Sequence, residues 1–251
     1  MTVNPTHWSG LPRHELLDAV CAGFDEAAAA GLTDCRVVVS ILREQPGEDA
    51  LELVRALGGY RPARVVGLGV DGDETAAGPT GPRFAPAFAE ARAIGLGRTA
   101  HAGESSGPAG VASALDDLRV TRIDHGVRSV EDQELVRRLA GDGTALNICL
   151  TSNLALLYAD LADHPIRRLL VAGVAVTINT DDPVPLRTTL TDELALAAAH
   201  CGWSLADAVA ATARAIDAAF CRPDEAAALR SRLDAYAGAA LPRGEASATR
   251  H

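Results

Sequence analysis

Residues 122–150 read RIDHGVRSVEDQELVRRLAGDGTALNICL, and this stretch decides the fold class. Its first four residues, 122–125, form a short strand candidate, and residues 130–140 have the apolar spacing of an amphipathic helix. Residues 145–150 form a second strand candidate. Two short strands joined by a helix form a parallel βαβ unit, because the helix returns the chain to the same end of the sheet. The stretch therefore predicts an α/β fold with a parallel sheet.

The same alternation of strand and helix runs through most of the chain. Strands are predicted at 35–42, 64–70, 98–101, 122–125, 145–150 and 174–179. Helices are predicted at 13–30, 48–57, 84–94, 110–118, 130–140, 165–172, 190–200, 205–220 and 223–236. Repeated βα units are typical of a (β/α)8 barrel of the TIM type, and this is the predicted fold class.

The predicted barrel is incomplete. Six predicted strands are too few for a barrel of eight strands, and the first residues, Thr2 to Pro5, resemble the end of a further strand. A barrel closes only when every strand has two neighbours. We therefore expect either a partner that covers the gap or a barrel that lacks part of its chain. Residues 1–240 are predicted to form a single barrel domain, and residues 241–251 a frayed tail.

Composition excludes several classes of function. Lys+Arg 23 against Asp+Glu 33 gives a net charge of −10, so nucleic acid and anionic membranes are poor partners. Every basic residue other than His is Arg, which excludes Schiff-base chemistry on a lysine. The five cysteines are dispersed, and no segment has the pattern of a signal peptide or a membrane span. We expect a cytoplasmic protein that binds a small molecule; its oligomeric state is not readable from the sequence.

Four predicted strands end in polar residues that strands do not otherwise favour. These are His101-Ala102-Gly103-Glu104, Asp124-His125-Gly126, Thr151-Ser152-Asn153 and Asn179-Thr180-Asp181-Asp182-Pro183. In an α/β barrel the carboxyl ends of the strands share one rim, where active sites lie. A lone His there is more often a hydrogen-bonded structural residue. Two His with Glu and paired Asp together match the ligands of a catalytic Zn²⁺ site.

These strings, in this order and spacing, resemble the adenosine deaminase family. The resemblance runs from the first residues to about Tyr236 and includes VGLGVDGDE at 66–74, which is similar to the family's substrate loop. It implies a single catalytic domain that deaminates adenosine or a closely related 6-aminopurine, giving the 6-oxopurine and ammonia through a zinc-activated water. A purine nucleoside is the implied partner, and one Zn²⁺ the implied cofactor.

Carried over by motif, the resemblance gives roles to four residues at the strand ends. His101 and Asp181 would be zinc ligands, and Glu104 would donate a proton to the purine N1. His125 would orient the attacking water or accept its proton. Glu104 must be protonated at neutral pH for this role, and burial of a carboxyl favours the neutral form.

Two further residues would hold the purine: Asp182 at N7, and Gly72 through its backbone amide at N3. Other histidines receive structural interpretations. His164 precedes a proline at a predicted helix start, and His200 lies at a helix C-terminus, where a cation is favourable. Neither is assigned to the metal.

The sequence departs from the family at the first strand. The family's first strand carries a His-x-His pair that supplies two zinc ligands, and no His-x-His occurs in this sequence. By this resemblance we expect the first strand and the helices that follow it to be missing. Three explanations stay open: a start assigned too far downstream, a fragment, or a degenerate homologue that no longer binds zinc. We favour the first two, because Glu104, His125 and Asp182 are all present.

Two alternative functions remain open beside deamination. The first is a catalytically inactive remnant that binds purines or oligomerises. The second is a related metal-dependent amidohydrolase that acts on a different ring.

Overall fold

The computed structural model describes residues 1–8, 10–31, 34–78 and 80–241. By internal contacts the chain divides into two compact units. The first unit consists of Met1–Ala102 and Ala109–Thr121, and the second of Gly103–Pro108 and the chain from Arg122 onward. The single domain over residues 1–240 stays a prediction, and the predicted tail lies, apart from Leu241, outside the described residues.

The first unit alternates strands and helices. Its strands are β1 (Thr2–Val3), β2 (Val37–Leu42), β3 (Val65–Asp71) and β4 (Gly97–Ala102). Its helices are α1 (Arg13–Ala29), α2 (Gly47–Gly59), α3 (Glu74–Ala77), α4 (Ala85–Ala93) and α5 (Pro108–Asp116), of which Pro108 falls in the second unit. The four strands pair in parallel and in chain order.

The core of the first unit lies along β2 and β3. Val39 is opposite Leu68 and Ile41 is opposite Val70, and all four side chains are fully buried. Burial on both faces is typical of parallel strands covered by helices on one side and packed side chains on the other. Each such side chain contributes roughly 1.5–3 kcal/mol to folding, which holds the ends of these strands in place.

Arg43, directly after β2, connects the ends of three segments of this unit. Its side chain is buried, with 1% exposed. One terminal nitrogen donates a hydrogen bond to the carbonyl of His101 in β4, and the other donates to the carbonyl of Gly78 at 3.3 Å. Burial lowers the pKa of the Arg43 guanidinium. Arg43 therefore fixes the backbone at His101.

We expect Arg43→Leu to lower the free energy of unfolding by about 2–4 kcal/mol, because both carbonyls lose a buried donor. Urea denaturation followed by circular dichroism measures this change. Arg55→Leu, on the exposed side of α2, is the matched control and should change stability by less than about 0.5 kcal/mol. Equal losses in the two variants would contradict the role given to Arg43.

The second unit has the same alternation. Its strands are β5 (Arg122–His125), β6 (Ala145–Ile148) and β7 (Val176–Ile178). Its helices are α6 (Gln133–Asp142), α7 (Leu150–Leu156), α8 (Ile166–Val171), α9 (Pro183–Leu186), α10 (Leu190–Cys201), α11 (Leu205–Ala218) and α12 (Pro223–Ala240). The strands pair in parallel and in chain order, with Leu146 between Ile123 and Val176.

A row of polar side chains crosses these three strands. Asn147 donates to Asp124 at 2.7 Å, Thr177 donates to Asn147 at 2.8 Å, and Asn179 donates to Thr177 at 2.8 Å. The row aligns the carboxyl ends of β5, β6 and β7. It thereby positions the residue after Asp124 and the loop that follows Asn179.

The predicted strands and helices lie where the structure has strands and helices, with ends that differ by a few residues, but the short helices α3, α7 and α9 were not predicted. The strand predicted at 145–150 ends at Ile148, and α7 begins at Leu150. Thr151, Ser152 and Asn153 therefore lie in a helix, because a short apolar run cannot distinguish strand from helix. Among the described residues, no helix is both long and apolar enough to cross a membrane.

Candidate functional site

Three of the predicted site residues come together in the second unit. His125, at the end of β5, is buried, and its Nδ1 lies 3.5 Å from Oε1 of Glu104, whose side chain is 19% exposed. A ring nitrogen of His125 and a carboxylate oxygen of Asp181 lie within 4.8 Å of each other. A carboxyl group, an imidazole and a second carboxylate thus meet where β5 and β7 end.

The backbone at this site is strained. His125 has a φ of 65° and Asp181 a φ of 56°, both in the left-handed region. That region costs a non-glycine residue roughly 1–3 kcal/mol, and such strain occurs preferentially at functional sites. Gly126 has a φ of 68°, and a Cβ there would lie 2.6 Å from a methyl carbon of Leu146. The turn after His125 therefore requires glycine.

Asp181 is exposed, and a buried hydroxyl orients its carboxylate. The Ser152 hydroxyl, which is 1% exposed, donates to Oδ2 of Asp181 at 2.7 Å. Hydrogen bonds of this kind typically orient the residues that bind metal ions. A carboxylate held in this way beside an imidazole suits Zn²⁺, which takes oxygen and nitrogen ligands in open catalytic sites.

The loop that carries Glu104 is held by Arg128. The backbone N–H of Arg128 donates to the carbonyl of Gly103 at 2.9 Å. Its side chain donates to the carbonyl of Ser105 at 2.7 Å and pairs with Glu131 at 2.7 Å. The residues on both sides of Glu104 are thus fixed by one arginine, which no motif in the sequence marks.

A buried chain of hydrogen bonds leads away from His125. Nδ2 of Asn153 lies 3.1 Å from Nδ1 of His125, and Oδ1 of Asn153 lies 3.2 Å from Nε2 of His164. The backbone N–H of Ile166 donates to Nδ1 of His164 at 3.2 Å. The three side chains are at most 3% exposed. From the sequence, His164 was expected only to be a structural residue at a helix start. The structure places it in the hydrogen-bond network around His125.

His164 makes stability depend on pH. Burial, with a smaller effect from His200, lowers the pKa of His164 to about 4, and an imidazole in an unfolded chain has a pKa of about 6.5. Between these two values the unfolded chain binds a proton that the folded chain does not. Falling pH therefore removes stability across this window, by at most about 3 kcal/mol.

We expect His164→Gln to weaken the pH dependence of the free energy of unfolding between about pH 6.5 and 4. Urea denaturation at several pH values across this window measures it. The exposed His14 provides the matched control, since the free energy of unfolding of His14→Gln should depend on pH as that of the wild type does. A His164→Gln slope equal to that of the wild type would rule out the low pKa.

Of the remaining predicted site residues, His101 and Gly72 lie in the first unit and Asp182 lies in the second. His101 lies in β4, half-buried, with its carbonyl held by Arg43. Gly72 follows β3 with a φ of 98°, and a Cβ there would lie 2.7 Å from Oε2 of Glu44. Asp182 is exposed next to Asp181, directly before α9.

Comparison with known proteins identifies the family. A family model described as adenosine deaminase matches residues 1–236. The adenine deaminase of Rhizobium etli is 40% identical over 236 residues, which cover 93% of this chain and 73% of that relative. The chain belongs to the adenosine deaminase family. It is therefore a deaminase of the hydrolase class, and its reaction is the deamination of a 6-aminopurine.

Solved structures confirm the fold class predicted from the sequence, a (β/α)8 barrel of the TIM type. An adenine deaminase from Arthrobacter aurescens has a TM-score of 0.86 at 28% identity, over 94% of this chain and 72% of that one. An amidohydrolase from Burkholderia ambifaria with bound Zn has a TM-score of 0.85 at 32% identity, over 95% of this chain and 68% of that one. The adenosine deaminase family is thus one of metal-dependent aminohydrolases, and a zinc ion is bound in one neighbour.

Proposed function

We propose that this member of the adenosine deaminase family converts adenine and water to hypoxanthine and ammonia. One observation carries the chemistry: Nδ1 of His125 lies 3.5 Å from Oε1 of Glu104, with Asp181 within 4.8 Å of the same imidazole. This arrangement sets a proton carrier and a water-binding group beside a carboxylate suited to a metal. The names of the two adenine deaminases compared above favour adenine over adenosine as the substrate.

His101 and Asp181 would hold the metal ion. Imidazole and carboxylate are ligands that Zn²⁺ takes, and the Ser152 hydroxyl orients the carboxylate. When bound, Zn²⁺ would acidify water and so supply a strong nucleophile at neutral pH.

The chain's own residues would perform the proton transfers and the positioning. Glu104 in its protonated form donates its proton to N1 of the purine, which makes C6 electrophilic. His125 orients the attacking water, whose oxygen forms a bond to C6. The bond from C6 to its amino nitrogen then breaks. One proton of the water leaves with the amino group as ammonia, and the other returns to Glu104.

Two residues would fix the ring during this reaction. Gly72 would donate its backbone N–H to N3, from a turn whose positive φ glycine adopts without strain and where no Cβ intervenes. Asp182, next to Asp181, would hold the ring at N7. Positioning of this kind lowers the barrier because the reacting atoms need not find their geometry by diffusion.

A second candidate is an inactive homologue that binds purines. The observation that favours it is the absence of any His-x-His from the sequence, which leaves His101 and Asp181 as the assigned ligands where the family has four. Fewer ligands weaken zinc binding. The two candidates differ in whether ammonia is released.

The test is ammonia release by the purified chain with added Zn²⁺, from adenine and from adenosine separately. The 6-oxopurine product is identified by mass spectrometry. We expect ammonia and hypoxanthine from adenine, at a rate at least about tenfold above that with adenosine. This ratio of rates corresponds to a difference of about 1.4 kcal/mol in the activation free energy. Faster release from adenosine would overturn the choice of substrate, and purine binding without ammonia would favour the inactive homologue.

A further inference from the structure

The buried hydrogen-bond chain beyond His125 assigns a task to a residue outside the family motifs. We propose that His164 is a positioning residue that acts through Asn153 to hold His125 as the neutral tautomer protonated at Nε2. The catalytic consequence of this inference rests on the proposed function. The tautomer itself does not, because it follows from the hydrogen bonds.

The donor-to-acceptor direction of these hydrogen bonds is set at Ile166. A backbone N–H can only donate, and that of Ile166 lies 3.2 Å from Nδ1 of His164. Nδ1 of His164 must therefore offer a lone pair, so the neutral ring carries its proton on Nε2. The ring is 3% exposed, packs edge-on against Tyr158 with 5.2 Å between centroids, and burial lowers its pKa to about 4, which keeps it neutral.

The side-chain amide of Asn153 connects His164 to His125, and its orientation is fixed by His164. The protonated Nε2 of His164 requires an acceptor, and Oδ1 of Asn153 lies 3.2 Å away. The side chain of Asn153 is fully buried, so its amide is held by the two rings and cannot turn toward solvent. Its Nδ2 group is therefore the end that faces His125, where it donates to Nδ1 at 3.1 Å.

The tautomer of His125 follows. Because Nδ1 of His125 accepts from Asn153, the proton of the neutral ring lies on Nε2. The nearest oxygen of Glu104 is 3.5 Å from the same Nδ1, so Asn153 is the closer partner. His125 then presents an N–H donor at Nε2, which orients a water molecule. Of the two roles left open for His125, orientation is favoured over proton acceptance.

The tautomer is measured by long-range ¹⁵N–¹H NMR on the full chain labelled with ¹⁵N-histidine, without substrate. His125→Gln assigns the signals. In the wild type we expect Nδ1 of His125 to have the shift of an unprotonated nitrogen and Nε2 that of a protonated one. His164→Phe removes the donor to Asn153, so both shifts should move toward the average of the two tautomers.

Three variants separate positioning from folding. His164→Gln keeps a side-chain N–H within reach of Asn153 and should restore the wild-type shifts. Tyr158→Leu removes the ring contact but leaves the hydrogen bonds, and should change neither shift. Asn153→Asp replaces the donor to His125 by an acceptor, and should move the proton to Nδ1 even if His164→Phe does not fold.

Two results would overturn the inference: a wild-type His125 protonated at Nδ1, or unchanged His125 shifts in both His164→Phe and Asn153→Asp. For an active chain, we also expect His164→Phe to lower kcat about tenfold with little change in KM. A wild-type chain that releases no ammonia would refute the proposed function and leave the NMR result standing. The two failures are therefore distinguishable.

Discussion

Replacing Glu104 by Gln is expected to lower kcat for adenine by about 10²- to 10⁴-fold, the usual contribution of a general acid. Gln keeps the size and the hydrogen bonding of Glu but cannot donate a proton to N1. Because the loop around Glu104 is held by Arg128 through the backbone, the variant should keep its fold. Steady-state kinetics with adenine, together with a circular dichroism spectrum, measure both properties.

Glu134→Gln is the matched control for this experiment. Glu134 is exposed in the first turn of α6, so the same chemical change there should leave kcat within about twofold of the wild type, as is usual for surface substitutions. A Glu104→Gln chain that keeps more than about a tenth of the wild-type kcat would exclude Glu104 as the general acid.

The neighbouring aspartates are expected to respond differently to the same substitution. Asp181→Asn should lower zinc affinity by more than about 100-fold, because loss of a partner in the outer shell alone costs 10- to 100-fold. Turnover should fall in parallel. Asp182→Asn should keep the zinc and raise KM, since Asp182 is assigned to the purine ring. Elemental analysis after dialysis against a weak chelator measures the zinc, and kinetics measure KM.

This pair controls for local folding, because both substitutions lie in one exposed loop between β7 and α9. Equal zinc contents in Asp181→Asn and the wild type would refute Asp181 as a ligand. Loss of zinc in Asp182→Asn with retention in Asp181→Asn would reverse the two assignments.

The strands were predictable because parallel strands covered on both faces leave short, contiguous apolar runs in the sequence. The β5 strand was predicted with the bounds that the structure has, and β2 begins two residues after its predicted start. The start of α7 was missed because the apolar residues of 145–150 pass from strand to helix without a break. Hydrophobicity alone does not mark such a transition.

Contacts between distant side chains were beyond sequence reasoning. Residues Asn153 and His164 are separated by eleven positions and meet only because α7 and the turn after it bring them together. The row of Asp124, Asn147 and Thr177 depends on the register of three strands, which no single segment encodes. The strand-end motifs were visible because polar residues after apolar runs are distinctive in themselves.

Ammonia release from adenine, measured together with zinc content on the same sample of the 251-residue chain, tests the central claim most directly. The chain is assayed as purified, after removal of metal with a chelator, and after Zn²⁺ is restored. We expect zinc to approach one ion per chain on restoration, as in single-ion catalytic sites, and ammonia release to rise and fall with it. A chain that neither takes up zinc nor releases ammonia would contradict the proposal that this chain is a zinc-dependent 6-aminopurine deaminase. A turnover that does not change when the metal is removed would contradict it as well.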